Sequence, residues 1–137
     1  MAATQLFFSL EAKPRGCHLV TGEVMSNIHD LPEVGVLHLF VLHTSCGVSL
    51  GENFDPDVRV DMRTALDRIV PEDESLYRHT DEGPDDMPSH VKSALIGTSL
   101  TIPIADHKLC LGTWQGIYLH EFRNHGGRRR FVATIIS

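Results

Sequence analysis

The 137-residue chain carries 12 basic and 18 acidic residues, a net charge of −6, and 42% apolar residues. This size suits one domain, spanning 1–137, that can bury a core without disulfides or a structural metal, and the acidic balance argues against general nucleic-acid binding. No apolar run is long enough to span a bilayer, the first residues lack a signal-peptide core, and Cys17, Cys46 and Cys110 form no CxxC pair, so reduced thiols in a cytoplasmic protein are expected.

In chain order, QLFFSL at 5–10 and GCHLV at 16–20 read as strands joined by a turn at Lys13-Pro14-Arg15-Gly16. Thr21 is placed to cap a short helix with Val24, Ile28 and Leu31 on one face, stopped by Pro32. The stretch 34–43 is apolar on both faces. It predicts a central strand with Val36, His38, Phe40 and Leu42 pointing one way and Leu37, Leu39, Val41 and His43 the other. It reaches polar sequence at His43-Thr44-Ser45, and 47–50 continues as strand. Asp55-Pro56 is a helix start, with Asp as N-cap and Pro in the first turn. Val58, Met62, Ala65, Leu66 and Ile69 make the apolar stripe of that helix, and Pro71 ends it. Met87-Pro88 opens another helix, with Val91, Ala94 and Leu95 expected inward and Gly97 at its end. Strands follow at 98–104, 109–122 (with a possible division at Gly112) and 129–136. The order ββ-α-ββ-α-α-βββ, with hairpin-grouped strands, indicates an α+β domain.

The stretch Tyr77–Lys92, YRHTDEGPDDMPSHVK, concentrates the chemistry: His79 and His90 stand among Asp81, Glu82, Asp85 and Asp86. The two histidines lie eleven positions apart and can converge if the loop folds back at Gly83-Pro84. His90 near a helix N-terminus favours the neutral imidazole, the metal-binding form. With His43 at the mouth of the buried strand, they would form a three-histidine site with an open position. The plainer alternative is that each histidine only caps a helix or braces the loop. Glu82, Asp85 and Asp86 are candidates to orient the imidazoles or to move protons. Asp81 reads as solvated, and one of Asp85 and Asp86 as a helix cap.

Ser45 or Cys46 beside His43 offers a weaker nucleophile–base reading. Gln115 and Glu121, on the strand after Gly112-Thr113-Trp114, are in reach of a ligand or a neighbouring subunit. The run Arg128-Arg129-Arg130 reads as a charged hairpin end or a phosphate contact. His38 is expected in the core with a hydrogen-bond partner.

Taken together, GCHLVT at 16–21, HTS at 43–45, ENFDPDVR at 52–59, YRHTDEGPDDMPSHVKSALIGTSLTIPI at 77–104 and LGTWQGIYLHEFR at 111–123 resemble the YjbQ-like family, long labelled uncharacterised and later called secondary thiamine-phosphate synthases. The resemblance implies an α+β fold whose mixed or antiparallel sheets pack as a sandwich, and a homotrimer with sites near subunit interfaces. It implies a divalent metal, usually taken as zinc, on His43, His79 and His90. Asp85, Asp86, Glu82 and Glu121 are the catalytic candidates beside such a metal, and Thr44, Ser45, Asn53, Gln115 and Lys92 the candidates for substrate contact. The implied activity joins a hydroxymethylpyrimidine diphosphate to a thiazole phosphate with release of pyrophosphate; the implied partner is a small phosphorylated metabolite, without nucleic acid or membrane. Two positions depart from the family pattern: Cys46 after HTS, and Gly51 where many members carry Asn.

Overall fold

Alternating apolar residues and local stop signals produce eight strands and three helices in the computed structural model, which describes residues 1–137. They are β1 (Ala3–Ser9), β2 (Gly16–Leu19), α1 (Thr21–Met25), β3 (Val34–Val41), β4 (Cys46–Glu52), α2 (Pro56–Ile69), α3 (Asp86–Ile96), β5 (Ser99–Ala105), β6 (Lys108–Leu109), β7 (Gln115–Glu121) and β8 (Arg130–Ile136). A single 3-10 turn, Glu74–Leu76, interrupts the loop between α2 and α3.

Two antiparallel sheets form, one of five strands in the order β1-β8-β3-β5-β6 and one of three in the order β2-β7-β4. β3 is central, as its two apolar faces predict. Leu37, Leu39 and Val41 point into the core, where Phe131, Ala133 and Ile135 of β8 and Ile102 and Ile104 of β5 meet Val48, Ile117 and Leu119 of the smaller sheet. This is the sandwich, and burial of these side chains is its main stabilising term. The opposite face of β3 is only half-buried, and there His38 Nδ1 meets Thr101 Oγ1 at 3.2 Å rather than sitting in the core.

A third layer lies on the outer side of the smaller sheet, where α2 packs on β2 and α3 on β4. Asp55 caps α2 by accepting from Asp57 N–H at 2.9 Å, and Pro56 occupies its first turn. Gly97 ends α3 at φ 98°, a left-handed backbone that glycine adopts without steric cost, while its N–H closes the last turn on Ser93 O.

Four local readings give way to tertiary context. β1 and β2 do not pair with each other: β1 adds to β8 in the large sheet and β2 to β7 in the small one. Thr21 does not cap α1; its Oγ1 accepts from Ile117 N–H of β7 at 2.8 Å, and α1 is a single short turn. In α2 only Leu66 of the expected stripe is fully buried, and Ile69 is exposed. The inward face of α3 is polar. Pro88, Ser89, Lys92 and Ser93 are buried while Ala94 and Leu95 are exposed. That face is tolerated because each polar group is satisfied. Ser89 Oγ donates to Asp86 O, Ser93 Oγ to Cys46 O at 2.7 Å, and Lys92 Nζ to Asp67 Oδ1 at 2.5 Å, with the Phe122 ring 5.7 Å from the ammonium.

Asp67 is thus the anchor of the helical layer, bound by Lys92 from α3 and by Arg15 at 2.9 Å from the segment before β2. Burial raises its pKa, but the hydrogen bonds and charges of Lys92 and Arg15 outweigh this and hold it below the usual 3.8. A depressed folded pKa contributes stability that is present above the unfolded value and lost as pH falls through the folded one. Urea midpoints measured between pH 6 and 3 are therefore expected to fall more steeply below about pH 4 in the wild type than in Asp67→Asn. The variant is expected to be the less stable protein at pH 6, where the wild-type pairings are intact.

Candidate functional site

Loop 77–85 folds back against α3, and three side chains converge. His79 Nε2 lies 2.6 Å from Asp86 Oδ2, and His90 Nε2 lies 3.1 Å from the same oxygen. Each ligand-type atom is within 4.8 Å of the other two, and the imidazole centroids are 5.5 Å apart. Asp86 and His90 are i and i+4 on one helix, so the first two turns of α3 supply two of the three groups.

Asp86 is almost wholly buried, and a buried carboxylate needs partners. Its second oxygen accepts from Arg123 Nη1. Burial raises the Asp86 pKa, but His79, His90 and Arg123 outweigh it and hold the carboxyl below its usual range. Asp85 stands at the N-cap position of α3, but its side chain turns to Arg123 Nε at 2.9 Å and to the Asn124 N–H at 2.9 Å. Arg123 Nη2 also donates to Glu82 O at 3.1 Å. One guanidinium therefore ties together the whole end of the loop. Arg123 lay within a quoted motif without an assigned role; the signal that could have found it is the adjacent acid pair at 85–86, which cannot be buried without a cation.

His90 is oriented from behind. Its Nδ1 lies 2.9 Å from Thr44 O, and a carbonyl can only accept, so Nδ1 carries the proton. In the neutral ring, Nε2 then presents a lone pair toward Asp86 and His79. Thr44 and His90, with His43, Ser93 and Thr98, line a cleft of about 580 Å³ running along the side of α3.

The other expected site residues are placed differently. His43 lines the cleft, but its Nε2 accepts the Arg130 N–H at 2.8 Å. A neutral His43 then bears its proton on Nδ1, so neither nitrogen offers a lone pair to the cluster. Burial, with Arg129 and Arg130 nearby, lowers its pKa against the opposing pull of Glu121. Glu121 is sealed in an ion pair with Arg129 at 2.7 and 2.5 Å, and Arg129 also donates to Ser45 O at 3.1 Å. The central arginine of the basic run is thus a buried structural cation. Lys92 faces Asp67 in the helical layer. Asn53 and Gln115 sit at the far end of β4 and β7. Asn53 Nδ2 donates to Thr113 O and Gln115 O, each at 3.1 Å, and Gln115 Oε1 accepts from Gly112 N–H at 2.8 Å.

Cys46 is fully buried and its thiol is pushed up to about 12 by burial, so it is core rather than nucleophile. Gly51 has a steric reason: a Cβ there would lie 2.4 Å from the Tyr118 ring, whose hydroxyl donates to Glu52 O.

A two-sheet α+β sandwich with a His–Asp–His cluster beside a cleft defines the class of protein. The model of the UPF0047 protein YjbQ-like family matches residues 7–137. The chain is 50% identical over 133 residues to the UPF0047 protein YjbQ of Salmonella typhimurium, covering 96% of each chain. It is 40% identical over 88 residues to the UPF0047 protein YugU of Bacillus subtilis, covering 64% of each. A crystal structure of an uncharacterized conserved YjbQ/UPF0047 protein from Clostridium acetobutylicum superposes with a TM-score of 0.76 at 33% identity, covering 96% of this chain and 99% of that one. A YjbQ-like protein of unknown function from Sulfolobus solfataricus has a TM-score of 0.83 at 18% identity, covering 98% of this chain and 96% of that one, a likeness of fold. The chain belongs to the YjbQ-like UPF0047 family. No helix is long and apolar enough to cross a membrane.

The Glu121–Arg129 pair, with side chains 0% and 5% exposed, gives a direct test. Arg129→Ala leaves a buried carboxylate unpaired and is expected to lower the unfolding free energy by about 3–5 kcal/mol, whereas the double variant Glu121→Leu/Arg129→Met is expected to recover most of that loss. Urea denaturation of the three proteins measures both effects.

Proposed function

We propose that the chain is a metal-dependent enzyme acting on a small phosphorylated metabolite, and that thiamine-phosphate formation is an activity it supports. The observation carrying this reading is the orientation of His90. Its Nδ1 proton is committed to Thr44 O while Nε2 shares one small volume with His79 Nε2 and Asp86 Oδ2. That is how protein backbones usually orient a metal-ligating histidine.

The donor set fits a divalent ion. Two imidazoles and a carboxylate with room for a further ligand are a common catalytic zinc set. A tetrahedral ion with bonds of about 2.0–2.2 Å would hold its ligand atoms about 3.3–3.6 Å apart, so the 2.6 and 3.1 Å hydrogen-bond separations here would have to open to admit it. His79, Asp86 and His90 would hold the ion, with Asp86 in the place first given to His43. When bound, such an ion supplies positive charge that neutralises a leaving diphosphate.

The chain's own groups do the remaining work. Arg123 and the Asn124 N–H fix Asp85, and Arg123 fixes Asp86, so the carboxylate stays aimed at the two imidazoles. His43, held neutral against Arg130 N–H, borders the cleft without placing a cation there. Thr44 and Thr98 give the cleft hydroxyl-bearing walls suited to phosphate oxygens. In the implied reaction the thiazole nitrogen forms a bond to the pyrimidine methylene, the carbon–oxygen bond to diphosphate breaks, and pyrophosphate leaves with the electron pair. We also place the protein in the cytoplasm as a homotrimer. Support for the trimer is the exposure of large apolar side chains, the aromatic rings of Phe7, Phe54 and Trp114 among them.

Elemental analysis and a thiamine-phosphate assay test the reading together. The purified protein is expected to hold zinc, and chelation is expected to abolish turnover. His79→Ala and His90→Ala are each expected to lose the metal, at about 10–100-fold weaker affinity or worse, while His43→Ala keeps it. Zinc retained at full stoichiometry by both His79→Ala and His90→Ala would reject the cluster as its site. Tight metabolite binding without turnover would instead make the protein a binding module.

A further inference from the structure

We propose that the groove between β2 and the first half of α2 is a second, metal-independent site that binds the phosphate group of a small phosphorylated metabolite. It shares no lining residue with the His79–Asp86–His90 cluster or its cleft.

The groove has a volume of about 360 Å³, at the small-molecule end of the usual range of about 300–1,000 Å³. Arg15, Arg59, Arg63 and His18 line it, no carboxylate does, and Pro56 and Val60 add an apolar edge. These three arginines gather on one groove in a chain of net charge −6.

The charges do not cancel locally. Arg15 pairs with Asp67 and Glu72. Arg63 reaches only Asp67, at 3.6 Å, and its Nη1 donates to Arg15 O. Arg59 has no carboxylate partner, and its Nη1 is buried with no hydrogen-bond acceptor. Every other arginine or lysine that is not exposed has an acid: Lys13 has Glu23, Arg15 has Asp67, Lys92 has Asp67, Arg123 has Asp85 and Arg129 has Glu121. With Lys92 also on Asp67, four cationic side chains share two carboxylates, and Arg59 is the one that reaches neither. The Cys17 thiol, pushed up to about 12 by burial, adds no negative charge to the groove.

A half-buried guanidinium without a counterion is costly to keep, and a docking anion offsets that cost. Among anions, phosphate matches the planar guanidinium fork. The N-terminus of α2 does not serve as the receptor, because the Asp55 carboxylate already occupies it. Pro56 and Val60 instead offer contact to the organic body of a phosphate ester.

Chelator-treated protein titrated with inorganic phosphate, and separately with phenyl phosphate, tests the site, with binding read by NMR at arginine Nε–H and backbone resonances. Saturable shifts are expected at Arg59, Arg63 and His18, with phenyl phosphate binding more tightly than inorganic phosphate. Arg63→Gln at the exposed rim, and Arg59→Lys, which keeps charge but loses the fork, are each expected to weaken binding about tenfold. Their urea midpoints show whether each variant folds. The proposal is overturned if no saturable shift appears at these residues, if shifts appear only around Thr44 and Ser93, or if both folded variants bind as the wild type does. Chelation removes the metal cluster from the experiment, so either proposal can fail alone.

Discussion

The fold of this protein is constrained by the burial of one carboxylate, Asp86. An ionised group that is 1% exposed must be surrounded by donors or be driven out. Its polar neighbours come from three places: His79 from the loop, His90 one turn further along α3, and Arg123 just after β7. Satisfying Asp86 therefore docks the helical layer on the sheet and closes the loop. The same requirement also builds the cluster that suits a metal. Arg123 bonds one carboxylate oxygen, which leaves the other for the two imidazoles. Support and site are two sides of one carboxylate group.

A second buried pair repeats this logic on the neighbouring segment. Glu121 and Arg129 neutralise each other across the turn between β7 and β8, and Arg129 then reaches Ser45 O. The following residue, Arg130, gives its backbone N–H to His43. The segment 43–45 is thereby gripped from the β8 side, while Thr44 O receives His90 from the other. A backbone carbonyl held between two elements orients an imidazole better than a mobile side chain does, because it has little rotational freedom to lose.

Features governed by neighbouring residues were legible in the sequence. The unbroken apolar run at 34–43 identified the central strand, Asp55-Pro56 the start of α2, and Gly97 the end of α3. The convergence of His79 and His90 was legible too, since a turn at Gly83-Pro84 returns the loop to the helix. What could not be read depended on partners far along the chain. Nothing near β1 marks β8 as its neighbour. The polar inner face of α3 looks outward by composition, and only Asp67, 25 positions before Lys92, and Cys46, 47 positions before Ser93, make it an inward face. His43 was placed correctly at the cleft, but the sequence could not reveal that a backbone N–H 87 positions away takes its lone pair.

The exchange of His43 for Asp86 in the cluster changes its electrostatics. Three neutral imidazoles would leave the full charge of a divalent ion for the substrate. An ion held by Asp86 would already meet one negative charge, which Arg123 on the other carboxylate oxygen partly withdraws. The charge such an ion would present to an anion would then depend on how strongly Arg123 is shared between Asp85 and Asp86, because each hydrogen bond it gives Asp86 weakens the other oxygen as a metal ligand. Asp85 therefore serves Arg123 and not the helix end, which it does not cap with its side chain. By taking Arg123 Nε and the Asn124 N–H at 2.9 Å each, it sets the position from which the guanidinium moderates the carboxylate that faces the two histidines.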